Sequence, residues 1–531
     1  MKILNSRYYV FAACVAIAVI GLPLSFLVHD FVWVWLVACA LTALGIRDMK
    51  QVTHAVRSNY PIIGNIRYLF EDLRAPLRQY LFESDLEEVP FSRAQRTLVY
   101  ARAKNEPSEK AFGTNLNVYE EGFEFIGHSM IPAEHADPKT FRVTIGGDQC
   151  VQPYSASIFN ISAMSFGSLS ANAILSLNKG AEMGGFYHDT GEGSISKYHR
   201  EYGGDLVWEL GSGYFGARDP MGNFCPSRFA EQAVLPQVKM IEIKLSQGAK
   251  PGHGGILPGP KVSEEIAQAR GVPVGVDCIS PASHSAFRTP IELMEFIQKL
   301  RELSGGKPVG FKLCIGHPWE FMAIAKAMLQ TGILPDFIVV DGKEGGTGAA
   351  PREFADHIGM PMKDGLLFIH NTLVGLNLRD KIKIGASGKI VSAFDIAGVL
   401  AIGADWCNSA RGFMFSLGCI SAGVCGTGAC PSGVATQDPI RQRALDVGDK
   451  SVRVKNFHEI TLKALSEMIA AAGLSNPSQM SPEHMVRRIS ASEIKHFSEL
   501  YYFMSPGALL EPVIENDFYA RMWSLANAES F

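Results

Sequence analysis

Hydrophobic residues follow three successive patterns along the chain. From Tyr8 to Val28 the run YYVFAACVAIAVIGLPLSFLV carries no charge, and after His29 and Asp30 a second uncharged run, FVWVWLVACALTALGI, extends from Phe31 to Ile46. The first is long enough to cross a hydrocarbon core of about 30 Å as a helix; the second is slightly shorter and has Trp33 and Trp35 where an aromatic belt would lie. This pattern predicts a transmembrane helical hairpin over residues 1–50, in which Pro23 is tolerated. Lys2 and Arg7 before it, with Arg47 and Lys50 after it, put both ends on the cytoplasmic face, so the expected location is the inner (cytoplasmic) membrane with the body of the chain in the cytoplasm. A signal peptide followed by a short apolar segment, or a single spanning helix, remain open as alternatives.

From Gln51 to about Phe112 the pattern is polar and helical, with Arg74, Arg78, Asp85, Glu87, Glu88 and Arg93 dispersed among Tyr68, Phe70, Tyr80 and Phe82. It is read as a helical linker over 51–142 acting as a juxtamembrane spacer. Beyond Val143 short apolar β-type runs alternate with longer helical stretches, as in repeated βα units. Eight strands are expected: IFNISA from Ile158, FYHDT from Phe186, KMIEIKL from Lys239, VGVDCIS from Val274, VGFKLC from Val309, FIVVDG from Phe337, IKIGASG from Ile382 and ADWCNSA from Ala404. Eight units over about 250 residues fit an α/β fold of the (β/α)8 TIM-barrel type, spanning 143–475, better than a doubly wound sheet. Residues 476–531 are expected to form a C-terminal helical extension.

Composition narrows the reading. The 531 residues carry a formal net charge of −4 with 19% charged side chains, which gives no sign of a nucleic-acid surface. Fifty-two glycines stand out. Many of them, including Gly167, Gly191, Gly193, Gly248, Gly345, Gly346, Gly385, Gly388 and Gly412, fall where loops would follow the strands, the side of such a barrel that carries the active site. A flat cofactor over the barrel mouth is the expectation, with its phosphate at GASGK from Gly385 and NSARG from Asn408. GSGYFG, at Gly211, Gly213 and Gly216, formally matches a dinucleotide fingerprint, but it runs into ARDPMGNF, which cannot open a long helix, so no nicotinamide domain is expected.

Ten cysteines spread over a chain of this size argue against a disulfide framework. Three of them, Cys419, Cys425 and Cys430, are spaced C-x5-C-x4-C-P within a glycine-rich loop. Such a loop lets thiolates wrap an iron–sulfur cluster while backbone N–H groups bond its sulfides. A zinc site would want cysteines in closer pairs and a fourth ligand. Three ligands suit [3Fe–4S], and three unpaired structural cysteines are the bland alternative. Cys278, Cys314 and Cys407 sit in expected strands and read as core.

Taken together, ISAMSFGSLS from Ile161, DTGEGS from Asp189, KLSQGAKPGHGGILPGPKVS from Lys244, DGKEGGTGAAP from Asp341 and the cysteine loop running into CPSGVATQDP resemble the synthase domain of the glutamate synthase family, in a stand-alone form without a glutaminase domain. The resemblance covers roughly Phe159 to Gly473. It implies FMN on the barrel, a [3Fe–4S] cluster beside it on Cys419, Cys425 and Cys430, and reductive amination of 2-oxoglutarate to glutamate. Ser165, Gly346, Thr347, Ser387, Gly388 and Arg411 are then the expected FMN contacts, and Lys312, ending strand five, faces the flavin and stabilises negative charge on its reduced ring. Lys244 and Lys250, with Gln247 between them near the end of strand three, are expected to bind the dicarboxylate. Glu192, in the loop after strand two, would orient ammonia or protonate the imine.

The sequence also departs from the long members of the family. Residue two is Lys2 rather than part of a cysteine-nucleophile glutaminase, His253 stands where KPGEGG has Glu, and no reductase domain is visible. Electrons are therefore expected from a partner, a ferredoxin, an NAD(P)H-dependent reductase subunit or a membrane carrier, and the nitrogen from ammonia or an amine; an oligomer is compatible with the chain. Two other functions compete with this one. A related flavoenzyme could use another amine or 2-oxo acid, as in N-methylglutamate-forming relatives, or the chain could be a non-catalytic electron-transfer subunit, against which the set Lys244, Gln247, Lys250 and Glu192 argues.

Overall fold

The computed structural model describes residues 6–86, 90–107, 109 and 111–531, and the chain separates into two compact units, 1–87 and 88–531. In the first unit the apolar runs form two helices, α1 (Tyr9–Leu27) and α2 (Phe31–Lys50), each long and apolar enough to cross a membrane. They pack closely because small residues sit at their contact: a Cβ on Gly21 would lie 3.2 Å from Trp35 Cδ1, and one on Gly45 would overlap the Phe11 ring. Trp35 Nε1 donates to Ala18 O at 3.0 Å, satisfying the indole between the helices. Lys2 lies outside the described residues.

In the second unit eight parallel strands close into a barrel: β1 (Phe159–Ile161), β2 (His188–Asp189), β3 (Leu206–Leu210), β4 (Val238–Lys244), β5 (Val309–Leu313), β6 (Phe337–Asp341), β7 (Lys383–Ser387) and β8 (Trp406–Ser409). Closure comes from β8 on β1, with Cys407, Asn408 and Ser409 opposite Phe159, Asn160 and Ile161. Most strand positions are buried on both faces, since the barrel interior lies on one side and the helices on the other, so their sequences read as continuous apolar runs rather than alternations. Helices Ala171–Gly184, Pro290–Leu303, Pro318–Thr331, Met362–Gly375 and Ala393–Leu400 form the outer layer. Ser170, Thr289 and Ser392 cap three of them by accepting the N–H three residues on.

Seven of the eight expected strands belong to the barrel and one does not. VGVDCIS from Val274 contributes only Cys278–Ile279, paired antiparallel with Ile256–Leu257 in the long excursion between β4 and the helix at Pro290. Its place is taken by LVWEL, Leu206–Leu210, every residue of which is buried. Its one carboxylate, Glu209, points into a polar layer within the barrel, against Lys312. Lys244 therefore ends strand four, not strand three. GSGYFG follows β3 directly and so does have a preceding strand, but residues 211–225 are turns and the next helix starts only at Pro226.

The segments on either side of the barrel are less helical than their patterns predict. Residues 106–142 contain the strand Glu124–Ile126, which joins Met485–Arg488 and Ile494–His496 in an antiparallel sheet, so 476–531 is not a helical extension. The α-helical segments there are only Phe497–Leu500 and Asp517–Leu525, beside two short 3-10 turns, Pro477–Gln479 and Pro482–His484, and Pro506 and Pro512 fall in the non-helical stretch between the two α-helices. Within the expected linker, Ser92 opens helix Arg93–Lys104 with a capping box, and this helix packs on the long helix Val447–Ala471 as part of the barrel unit.

Asp336 accepts from Arg301 Nη2 at 3.0 Å and from the Val309 N–H at 2.9 Å, with both side chains almost fully buried. Asp336→Ala should cost about 3–5 kcal/mol in denaturant unfolding, because it leaves a buried guanidinium without its carboxylate. Burial holds His199 and His284 at about 4, His458 at about 3, and His188 well below the ordinary imidazole range. The folded state keeps these rings neutral while the unfolded chain protonates them below about pH 6.5, so stability is complete above that pH and falls as the pH drops toward 4. The unfolding free energy from urea titrations should decline by up to about 1.4 kcal/mol per pH unit for each ring across that window.

Candidate active site

Two neighbouring clefts open at the carboxyl ends of the strands. The larger, of about 550 Å³, is lined by Ser162 and Ala163 after β1, Lys312 on β5, Gly345 and Gly346 after β6, Ser387 to Ile390 at β7, and Asn408 to Arg411 at β8. Phe91 closes one side. The smaller, of about 330 Å³, is lined by Glu192, Lys244, Lys250, His253, Gly255 and Ser280, with Ser212 at its edge. Gln247 lines both clefts and so joins them.

The larger cleft depends on backbone passing close to backbone. A Cβ on Gly248 would lie 1.7 Å from Gly342 O, so the loops after β4 and β6 can cross only with glycine there. The Gly248 N–H donates to the Asp341 carboxylate at 2.7 Å, which fixes the crossing. A Cβ on Gly346 would lie 2.7 Å from Arg411 Cζ, so Gly346 leaves room for the guanidinium. Arg411 donates from Nη2 to Glu344 O at 2.7 Å and stacks over Phe91 at 4.6 Å. Burial lowers its pKa to about 10 against the pull of Asp341 and Glu344, and it remains a cation at neutral pH. Lys312 is 4% exposed and lies against Glu209, 3.1 Å from Glu242 Oε1 and 4.0 Å from Asp189 Oδ2. The cleft thus offers cations, hydroxyls and glycine backbone, a donor set that fits a flat cofactor bearing a phosphate.

In the smaller cleft Lys244 Nζ lies 3.0 Å from Glu192 Oε2. Burial would raise the Glu192 carboxyl, but Lys244, Arg270 and Lys250 outweigh it and hold the carboxyl below its ordinary range. Glu192 is therefore a carboxylate at neutral pH and poorly suited to the general-acid role; orienting a cationic or N–H-bearing group suits it better. Gly211 and Gly255 make room for it, since a Cβ on either would come within 3.0 Å of its side chain. The Lys250 pKa is lowered by burial, opposed by Glu192. His253 Nδ1 lies 2.6 Å from Gly254 O, and its ring meets Phe354 edge-on at 5.2 Å.

Of the residues chosen from sequence as catalytic groups or flavin contacts, all but two line these clefts. Lys244, Gln247, Lys250 and Glu192 share the smaller cleft, while Lys312, Gly346, Ser387, Gly388 and Arg411 line the larger. Ser165 does not line the larger cleft: β1 ends at Ile161, so Ser162 and Ala163 face it, and the Ser165 hydroxyl bonds Ser168 Oγ at 3.1 Å. Thr347 is exposed and lies beyond the glycine pair that reaches the cleft. Sequence reasoning missed Phe91, which belonged to a supposed spacer, and the carboxylates around Lys312, for which the charged letters inside KMIEIKL and LVWEL were the available signal.

The cysteine loop lies against the same unit. Cys430 is buried and Cys419 and Cys425 are half-buried, all as free thiols. Burial raises Cys419 to about 11 and also raises Cys425, each further raised by a neighbouring thiol of the set. Burial acts the same way on Cys430, but the N–H of Ala435, the Ser432 hydroxyl and N–H, and the Val434 N–H outweigh it and lower the pKa, a setting suited to a thiolate ligand. The Tyr100 hydroxyl donates to Cys419 O at 2.6 Å and pins the loop start. Three mutually sensing thiols on a glycine-bent loop are a donor set compatible with an iron–sulfur cluster.

Comparison with known proteins places this architecture. The conserved region in glutamate synthase matches residues 133–475. The chain is 38% identical to the glutamate synthase large subunit-like protein YerD of Bacillus subtilis, over 92% of this chain and 97% of that one. It is 36% identical to an archaeal glutamate synthase (NADPH) of Methanocaldococcus jannaschii, over 60% of this chain and 59% of that protein. An archaeal-type glutamate synthase (NADPH) of Thermotoga maritima is also 36% identical, over 59% of each chain. With an eight-stranded parallel barrel, a cation-lined cleft at its mouth and a match extending over most of the barrel unit, this chain belongs to the glutamate synthase family.

Proposed function

We propose that the chain is an FMN- and iron–sulfur-dependent enzyme that reductively aminates 2-oxoglutarate to glutamate, taking nitrogen from ammonia or an amine and electrons from a ferredoxin or an NAD(P)H-dependent reductase subunit. The observation that carries this reading is the smaller cleft, where Lys244 and Lys250 stand with Glu192 and Gln247 beside the larger cleft. Bound FMN supplies the hydride for reduction of the imine carbon. Lys312, Gly346, Ser387, Gly388 and Arg411 would hold it, with Ser162 and Asn408 in place of Ser165 and Thr347. Cys419, Cys425 and Cys430 would hold the [3Fe–4S] cluster that passes electrons inward.

The residues of this chain bind and orient. Lys250 is a cation without the close ion pair that engages Lys244, which makes it the stronger candidate to grip the substrate's distal carboxylate. Glu192 draws the nitrogen donor as ammonium or orients it as ammonia, and Lys244 keeps that carboxylate charged. A second reading, an amine in place of ammonia, is favoured by the His253 ring that lines the cleft, backed edge-on by Phe354, which would shelter an alkyl substituent. The α1–α2 hairpin would anchor the enzyme in the cytoplasmic membrane with the barrel in the cytoplasm, supported by the length and apolarity of both helices and by Arg47 and Lys50 at the end of α2.

In a reconstituted assay Lys250→Ala should raise KM for 2-oxoglutarate roughly 10- to 100-fold, as expected for loss of one charge-assisted hydrogen bond of about 1.5–3 kcal/mol. Unchanged glutamate formation would overturn the substrate assignment, and faster turnover with methylamine than with ammonia would select the second reading. Anaerobically purified protein should show a flavin absorption band and an iron EPR signal. Cys430→Ser should abolish the iron signal and leave the flavin band; absence of both signals from the wild type would refute the cofactor reading.

A further inference from the structure

The interior of the barrel holds a charge cluster below the larger cleft. Asp189 on β2, Glu209 on β3 and Glu242 on β4 are each at most 2% exposed, and one oxygen from each lies within 4.8 Å of the others. Lys312 on β5 fills the centre of the group, touching Glu209 and standing 3.1 Å from Glu242. A metal ion would have to displace that ammonium, so the cluster reads as the setting of Lys312 and not as a cation site. Asp341 on β6 is the next carboxylate facing the lysine, and Tyr187 on the β2 side faces Asp189 and Glu242 while its hydroxyl donates to Asn408 Oδ1 at 2.7 Å.

Charge counting constrains the protonation state. Three carboxylates around one ammonium, all out of water, would leave uncompensated like charges in contact, and such groups retain protons instead. Glu209 is in direct contact with the ammonium and is its nearest partner. Asp189 is anchored by the Gly191 N–H at 2.9 Å and stands farthest from the lysine, at 4.0 Å. Burial, then the charge of Glu242, pushes Asp189 well up; burial, then the charge of Glu209, pushes Glu242 up to about 7, both against the pull of Lys312.

We propose that Asp189, Glu209 and Glu242 are positioning residues for Lys312: Glu209 pairs with it as a carboxylate, Asp189 and Glu242 hold one proton between them, and the resulting charge at the cleft floor sets the reduction potential of the bound flavin. The inference about potential rests on the flavin reading above; the inference about the proton does not. Lys312, held from three sides, is a permanent cation facing the cleft, and the trapped proton prevents a third negative charge from opposing it.

The test uses the full-length protein. Infrared spectra near pH 7 should show the band of a buried protonated carboxylic acid, sensitive to D2O, lost in Asp189→Asn and in Glu242→Gln and kept in Glu209→Gln. In the flavin-loaded protein, Glu209→Gln should favour reduction by about tenfold, a shift of about 30 mV for the two-electron couple, because it removes a fixed negative charge. Glu242→Gln should shift the potential far less, since Asp189 then carries the charge that the pair already had. A merely structural cluster would give no such asymmetry. Absence of the band from the wild type, or equal shifts in the two Gln variants, would overturn the proposal. Should Glu209→Gln fail to fold, the wild-type band and its loss in the other two variants decide the proton assignment. Protein that binds no flavin but shows the same infrared pattern upholds that assignment and refutes the flavin reading alone.

Discussion

Closing a sheet of eight parallel strands satisfies every edge but forces the inward side chains of all eight strands to share one enclosed volume. In this barrel that volume is not filled by apolar groups alone. Trp208, Trp406, Ile243 and Val339 account for buried apolar bulk in the strands, whereas Lys312 and its three carboxylates occupy a polar layer near the mouth. An unpaired ammonium at that depth would cost several kcal/mol, so the lysine and the acids are retained only as a set. Their presence ties β2, β3, β4 and β5 together by charge as well as by backbone pairing. It also delivers one fixed cation to the floor of the larger cleft.

The loops built on that rim show the same dependence on close approach. Gly248 lets the chain after β4 pass against Gly342, Gly346 makes space for Arg411, and Gly211 with Gly255 makes space for Glu192. Arg411 and Glu192 are thus each placed by residues that lack a side chain. Gln247 lies one residue before the Gly248 crossing, and the same crossing brings it to the boundary of the two clefts. A redox cofactor in one cleft and a dicarboxylate in the other would meet at this boundary, and a shift of the β4 loop would separate them.

Glu192 and Lys244 illustrate how electrostatics refine a role chosen from residue type. A glutamate beside an imine can act as a general acid only if it keeps its proton. Here three cations hold it ionised. Its ion pair with Lys244 also divides the two lysines: Lys244 maintains the carboxylate, and Lys250 stands in the same cleft outside that close pair. The cysteine loop has a comparable internal division, with Cys430 in a cradle of N–H donors while burial and neighbouring thiols hold Cys419 and Cys425 toward the protonated form.

The sequence by itself determined the elements whose information is local. The uncharged runs at Tyr8 and Phe31 became two long helices, seven β-type runs became barrel strands, and KLSQGAKPGHGG marked a loop that lines the smaller cleft, because glycine and lysine patterns reflect backbone geometry and charge within a few residues. Tertiary structure alone decided the rest. LVWEL is a strand only because Glu209 meets Lys312 from 103 residues away, and VGVDCIS leaves the barrel because Ile256–Leu257 pairs with it instead. Phe91 joins the cleft only because helix Arg93–Lys104 packs back on the barrel unit, and Ser162 replaces Ser165 because the end of β1 is fixed by its neighbours on both sides. Those outcomes depend on which distant segments share a buried volume, and a one-dimensional pattern of apolar and polar residues does not contain that pairing.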